Sequence, residues 1–126
     1  MKKLLFLCLP VALLYACGDK AHKTDIEFDK STEGLHILKV KDTFNVYKGS
    51  YFVLTDVKND TKDTIESVTV DVNYVDQEGD IVAQSNSVTS KPMLPGETVT
   101  VENKYDFGTS ENDRPYKIQV KAKSMF

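Results

Sequence analysis

The sequence is poor in the residues that most catalytic and metal sites require. It has two cysteines, two histidines and no tryptophan in 126 residues, and its six glycines are scattered. Scattered glycines form no phosphate-binding loop, which argues against nucleotide binding. His22 lies in the polar segment after Cys17, and His36 has no second histidine and no cysteine within the following domain to complete a zinc site or a nucleophile–base pair. We therefore expect a protein that is not an enzyme and uses no cofactor or structural metal.

The amino terminus has the layout of an export signal. Lys2 and Lys3 precede an apolar run from Leu4 to Ala16, and a basic pair followed by such a run is typical of secretory signals. The run is too short to span a bilayer, which takes roughly 20 apolar residues. We predict that residues 1–16 are removed.

The charge of the remaining chain disfavours one class of partner. Removal of the signal leaves 14 of the 16 basic residues against 19 acidic ones, a net charge of −5. Binding to nucleic acid depends on clustered lysine and arginine that neutralise phosphates. We expect no nucleic acid partner.

The end of the apolar run, Leu14-Tyr15-Ala16-Cys17, resembles a bacterial lipobox, with matches at Leu14, Ala16 and Cys17. The resemblance implies a lipid on Cys17, attachment to a membrane through that lipid, and a location in the bacterial cell envelope on the periplasmic or external side. Gly18, in place of an aspartate, favours the outer membrane where the organism has one. The alternative is an ordinary signal peptide that leaves Cys17 as an unpaired thiol.

The segment after Cys17 is polar. Residues 17–34 contain only Ile26 and Phe28 as large apolar side chains, which is too little apolar surface to offset the entropy of ordering a segment. We predict a flexible tether over residues 17–34, unless Ile26 and Phe28 dock onto the domain that follows.

Residues 35–126 alternate between apolar and polar side chains with a period of two, which indicates strands buried on one face. No stretch keeps a helical period, and strands without βαβ alternation favour an antiparallel, immunoglobulin-like β-sandwich of about six or seven strands, with an open barrel as the alternative. The clearest inward sets are Val68, Val70, Val72 and Tyr74; Val99, Val101, Tyr105 and Phe107, with Asn103 as an exception; and Tyr116, Ile118, Val120 and Ala122.

Turn-forming residues separate these strands. The segments 59–63 and 76–80 are rich in Asn and Asp, whose side chains bond their own backbone in turns, and we predict two hairpins there. Leu94-Pro95-Gly96-Glu97 places Pro and Gly at the centre of a predicted type II turn.

The same features carry a resemblance to a known family. Val57-Lys58-Asn59, the valine-alternating strand from Val68 to Asp76 with Gly79, and Leu94-Pro95-Gly96-Glu97 resemble the small bacterial envelope domain called FxLYD. The resemblance covers Val53 to Glu102. It implies an immunoglobulin-like fold and no settled activity.

One acidic turn suggests a weak cation site. Asp76, Glu78 and Asp80 are spaced two apart, as at the start of a calcium loop, but Ile81 and Ser87 stand where that loop needs Gly and Glu. A turn rich in acids explains the pattern better, and weak calcium binding remains the alternative.

Two functional hypotheses follow. The first is a lipid-anchored adaptor or structural module that binds an envelope protein, because sandwiches leave edge strands that accept an added strand. The second is a lipoprotein that captures a small solute or ion, with the acidic turn as its site.

Overall fold

The computed structural model describes residues 22–125, and these form two four-stranded β-sheets packed face to face. The first sheet has the order β1-β8-β5-β6 and the second β2-β3-β4-β7. The expected all-β sandwich is confirmed, although one pair, β1 with β8, is parallel. The strands are β1 Asp25–Phe28, β2 Ser31–Thr32, β3 Leu35–Asn45, β4 Ser50–Asn59, β5 Ser67–Val75, β6 Ile81–Val88, β7 Thr98–Asp106 and β8 Lys117–Met125.

Helix is confined in the described part of the chain to one 3-10 turn at Glu111–Asp113. Residues 22–125 therefore contain no helix with the length and apolar character needed to cross a membrane.

The core lies between the two sheets and is built by the period-two pattern. On β5 every second residue is fully buried, and the intervening residues are only partly buried. Such alternation puts one face of each strand against the opposite sheet. The inward residues of β5 and β8 are Val68, Val70, Val72, Tyr74, Ile118, Val120 and Ala122.

Two residues that were predicted to face the core are partly exposed in the structure. Tyr116 precedes β8 and is 37% exposed, and Tyr105, near the end of β7, has the same exposure, so neither is a core residue. Asn103, expected to break the pattern, is instead fully buried and keeps the inward period of β7. Its side chain lies inside because it finds hydrogen-bond partners there, as described below.

Part of the predicted tether belongs to the domain. Residues 25–28 form β1 alongside β8, and residues 31–32 form β2 alongside β3. Ile26 and Phe28 pack against the core. This docking is the exception that was named to the prediction of a flexible tether. Apolar burial and backbone pairing to β8 together offset the entropy of ordering this segment. The domain thus begins before residue 35, and β1 and β2 raise the strand number to eight.

The predicted turns have mixed outcomes. The segment 76–80 joins β5 to β6 as a hairpin, and Gly96, with φ of +80°, lies in a turn closed by a 3.0 Å bond from the Glu97 amide to the Leu94 carbonyl. The prediction for residues 59–63 is wrong, because this segment crosses from β4 in one sheet to β5 in the other. The buried Asn59 amide holds the crossing by donating to the carbonyls of Asp63 and Met93.

Candidate functional site

The acidic turn uses its first carboxylate to close itself. Asp76 Oδ1 accepts hydrogen bonds from the backbone amides of Glu78 (3.0 Å) and Asp80 (2.9 Å). This is the Asx arrangement in which a side chain substitutes for a backbone acceptor. Within residues 22–125 no three His, Cys, Asp or Glu side chains are grouped so that they could hold a metal ion. The geometry gives the cation-site hypothesis no support.

Of the remaining residues considered from the sequence, the structure describes the two histidines. Cys17 lies outside the described residues. His22 stacks on Tyr116 with ring centroids 3.7 Å apart, and its Nε2 lies 2.7 Å from the Arg114 carbonyl oxygen. His36 lies 3.6 Å from the Asp60 carboxylate in a half-exposed pair. Each histidine is therefore engaged in a local structural contact.

A polar cluster not anticipated from sequence holds β3, the start of β1 and the loop before β8 together. Asp42 Oδ2 accepts from Arg114 Nη2 at 2.7 Å and from the Tyr51 hydroxyl at 2.6 Å. Arg114 Nε donates to Thr24 Oγ1, which in turn donates to the Pro115 carbonyl. We call the flank of the sandwich formed by β1, β2 and β3 the closed side, because this cluster fastens its strands to one another.

The cluster changes the acidity of one member. Burial and the hydrogen bond to Asp42 raise the pKa of the Tyr51 hydroxyl well above its usual value. Tyr51 is fully buried, and a phenolate there would lose water and face a carboxylate. The hydroxyl therefore acts as a fixed donor rather than as a titrating group near neutral pH. We read the cluster as a structural fastening.

The opposite flank is formed by β6 and β7, and we call it the open side. Here the interior is polar. The Ser85 hydroxyl on β6 contacts the Tyr74 hydroxyl at 2.7 Å and the Asn103 amide nitrogen at 3.1 Å. Asn103 also donates to the Val70 carbonyl, while its Oδ1 has no hydrogen-bond partner in the described structure. Small polar residues of β6 thus replace the large apolar contacts found elsewhere between the sheets.

The four edge strands differ in how they are protected from pairing with another chain. β1 has four residues and carries Asp25 and Glu27, β2 has two residues, and β7 carries three charged residues. Beyond β2 the exposed length of β3 carries lysines and a bulge after Ile37. Charges, bulges and short length are the usual means of blocking an edge.

β6 lacks most of this protection. Its eight residues, Ile81–Val88, include no charged side chain and no proline, and its one irregularity is confined to the start, between the positions paired with Tyr74 and Val75. Val82 and Val88 are 55% and 58% exposed. An uncharged, regular edge with exposed β-branched residues is a template for strand addition. This edge is the candidate interaction site.

The backbone of β6 has a definite set of free groups. The Thr89 amide donates to the Val68 carbonyl, so the odd-numbered residues of β6 form the hydrogen-bonded pairs with β5. Beyond the irregularity at Val82, the amides and carbonyls of Gln84, Asn86 and Val88 consequently point away from the sheet. They are the groups that an added strand would bond.

Side-chain amides extend across the outer face of the first sheet to this same edge. Gln119 donates to Glu27, Asn73 to Gln119, and Gln84 to Asn73, so one row of hydrogen bonds crosses from β1 to β6. In the next row Asn86 donates to Asp71 at 2.6 Å. Both rows end in an amide on the free edge.

A groove of about 410 Å³ runs beside the edge, between β6 and β7. It is lined on one wall by residues 87–91 and on the other by residues 99–102. The Ser87 hydroxyl bridges the walls by donating to the Glu102 carbonyl at 2.6 Å. The groove gives inward side chains of an added strand a place to lie.

Comparisons with known proteins show little. No protein-family model and no curated protein matches the chain. A solved structure, that of Campylobacter jejuni cj0090, is similar with a TM-score of 0.46 and 11% sequence identity, over 80% of this chain and 100% of that chain.

Proposed function

We propose that this protein is a non-enzymatic, lipid-anchored envelope protein whose β-sandwich acts as an adaptor by pairing with another protein along β6. The observation that carries the proposal is the uncharged free edge of β6, with three residues, Gln84, Asn86 and Val88, whose backbone groups point outward. Strand addition draws its affinity from main-chain hydrogen bonds and its specificity from the side chains beside them. The other edges are short, charged or bulged, so β6 is the edge that supports such pairing.

The anchor is the second part of the proposal and is supported by the lipobox and by the position of the first strand. Four residues separate Cys17 from His22, and the five Cα–Cα steps between them can span at most about 18 Å. With β1 part of the domain, a lipid on Cys17 would hold the sandwich close to the bilayer. It would present β6 to partners at the same membrane.

Labelled palmitate tests the anchor. We expect the label in the full chain to be lost in Cys17→Ser, because the thioether to the lipid forms only at that thiol. Cys8→Ser is the matched control, because Cys8 lies in the predicted signal, and it should keep the label. Label that persists in Cys17→Ser contradicts the anchor.

A photo-crosslinking amino acid tests the pairing edge. In the membrane-located full chain, we expect a probe at Gln84 on β6 to give discrete protein adducts. A probe at the exposed Glu102 on β7 is the matched control and should give fewer. Gln84→Lys, which places a charge on the edge, should prevent adducts from a probe at Asn86. Equal labelling from β6 and β7 contradicts the role of β6.

A further inference from the structure

We infer that the strand that pairs along β6 is the β6 of a second copy of this chain, so that two first sheets join into one eight-stranded sheet. The inference rests on the proposed function, since it names the partner at the same edge. It depends on how β6 matches itself in charge, in backbone bonding and in side chains.

Charge permits β6 to meet itself. An antiparallel pair of identical strands places residues of one strand opposite residues of the same strand, and like charges directly opposite one another are destabilising. β7 carries Glu102, Lys104 and Asp106, and β1 carries Asp25 and Glu27. β6, with no charge in Ile81–Val88, avoids that cost in every register.

Backbone geometry selects a few registers. Residues that face the same side of the joined sheet must lie opposite one another, and the outward-bonding residues are even-numbered. The two-fold axis can therefore pass through Gln84, Ser85 or Asn86. Within the regularly paired residues 83–88, axes through Ser85 and through Asn86 each pair five residues of β6, so the side chains decide between them.

Side chains favour the axis through Ser85. This register places Gln84 opposite Asn86 of the second copy, and the exposed Val82 opposite Val88. A side-chain amide has two N–H groups and an acceptor oxygen, so Gln84 and Asn86 can bond one another while keeping their bonds to Asn73 and Asp71. The two amide rows would then run unbroken across both copies. The bulge near Val82 lies at the end of the register and leaves residues 83–87 regularly paired.

The two-fold symmetry also constrains how the pair of copies can lie relative to the bilayer. Because the two-fold axis is normal to the joined sheet, the two amino-terminal ends lie at opposite ends of the pair. The five Cα–Cα steps from Cys17 to His22 span at most about 18 Å. Both copies can reach one bilayer when the sheets lie parallel to it.

Disulfide crosslinking in the membrane-located full chain tests the inference. Ser85 would face its own counterpart in a non-hydrogen-bonded pair, with Cα atoms about 4.5 Å apart, a separation that a disulfide bridges. We expect Ser85→Cys to give a covalent dimer with a mild oxidant such as diamide. Ser87→Cys is the matched control, because its counterpart would be offset by four residues, about 13 Å along the strand. Neither this variant nor the parent chain should give a covalent dimer.

A second experiment avoids the hydrogen bonds of Ser85. Gln84→Cys and Asn86→Cys are both on the exposed outer face, and chains carrying one or the other should crosslink when co-expressed. Each expressed alone should crosslink much less. Gln84→Lys should weaken dimer formation about tenfold or more, measured by sedimentation in detergent, because two lysines are added to one interface.

The outcomes separate this inference from the proposed function. Crosslinks at Ser85 and between Gln84 and Asn86, with none at Ser87, support the second copy. A monomeric chain without these crosslinks overturns it. If a photo-crosslinker at Gln84 then yields an adduct containing a different protein, pairing along β6 stands with another partner. If it yields none, both proposals fail.

Discussion

The two flanks of this sandwich are built on opposite principles. On the closed side, Arg114, Asp42 and Tyr51 form short hydrogen bonds that fasten β3 to the loop before β8. On the open side, Ser85 and Asn103 leave a polar interior beneath an uncharged edge. On the closed side the polar side chains bond one another, whereas on the open side backbone groups of β6 remain free to bond a second chain. The closed side thus stabilises the fold, and under the proposed function the open side is the edge that binds another chain.

The largest expected effect tests the core that both flanks share. Val70→Asp or Ile118→Asp should unfold the domain, because each residue is fully buried and an unpaired carboxylate there costs several kcal/mol against a total stability of about 5 to 15. Thr69→Asp and Lys121→Glu, on the outward period, should be tolerated. Thermal denaturation followed by circular dichroism is the measurement. A Val70→Asp protein as stable as Lys121→Glu would refute the assignment of Val70 to the buried face of β5.

A smaller loss is expected from unfastening the closed side. Asp42→Ala should lower the free energy of unfolding by about 2–3 kcal/mol, because it leaves the Tyr51 hydroxyl and the Arg114 guanidinium without their acceptor. Asp60→Ala, in a half-exposed pair with Lys58 at 3.7 Å, should cost less than about 1 kcal/mol. Urea denaturation compares them. Equal losses would show that the Asp42 cluster fastens nothing.

Alkaline pH should weaken both flanks through their buried tyrosines. Burial raises the pKa of Tyr51 on the closed side and of Tyr74, which bonds Ser85 on the open side. Unfolded tyrosine loses its proton near pH 10, so the unfolded state binds fewer protons than the native state above that pH. The contribution of these tyrosines to stability should be constant below about pH 10 and fall above it, by up to about 1.4 kcal/mol per pH unit for each tyrosine.

Matched variants isolate that effect. Tyr51→Phe should make the alkaline decline in unfolding free energy shallower, whereas Tyr47→Phe, at a site 92% exposed, should leave the decline unchanged. Urea denaturation across a pH series measures both. An identical pH profile for Tyr51→Phe and the parent chain would contradict the assignment.

The smallest effect on stability is expected at the open edge. Gln84→Lys should change the free energy of unfolding by no more than about 0.5 kcal/mol, since Gln84 is exposed and its substitution removes only a solvent-exposed hydrogen bond to Asn73. The same variant should weaken pairing along β6 about tenfold or more. If it destabilises the fold as much as Asp42→Ala, the edge serves the fold itself, and the contrast between the flanks disappears.

The fold could be predicted to a large extent, but the site only in outline. The alternation of Val68, Val70 and Val72 is local and requires no knowledge of partners, so the strands and their buried faces were predictable. The docking of Ile26 and Phe28 was not, because it depends on pairing with β8, where Ile118 lies opposite Ile26 in the parallel register. The contact between Arg114 and Asp42 was hidden for the same reason, since these residues are 72 positions apart.

The sequence by itself determined an all-β domain with a period-two core, the Asp76–Asp80 hairpin and the turn at Gly96, because each of these depends on neighbouring residues. Only the tertiary structure decided that β6 is an edge while β5 is central. Strand order depends on which strands pair through backbone hydrogen bonds. The sequence of β6 alone does not distinguish an edge strand from a central one. The tertiary structure also decided that Asn103 is buried. Its side-chain amide donates hydrogen bonds to Ser85 and to the Val70 carbonyl, and these bonds offset the cost of removing the amide from water.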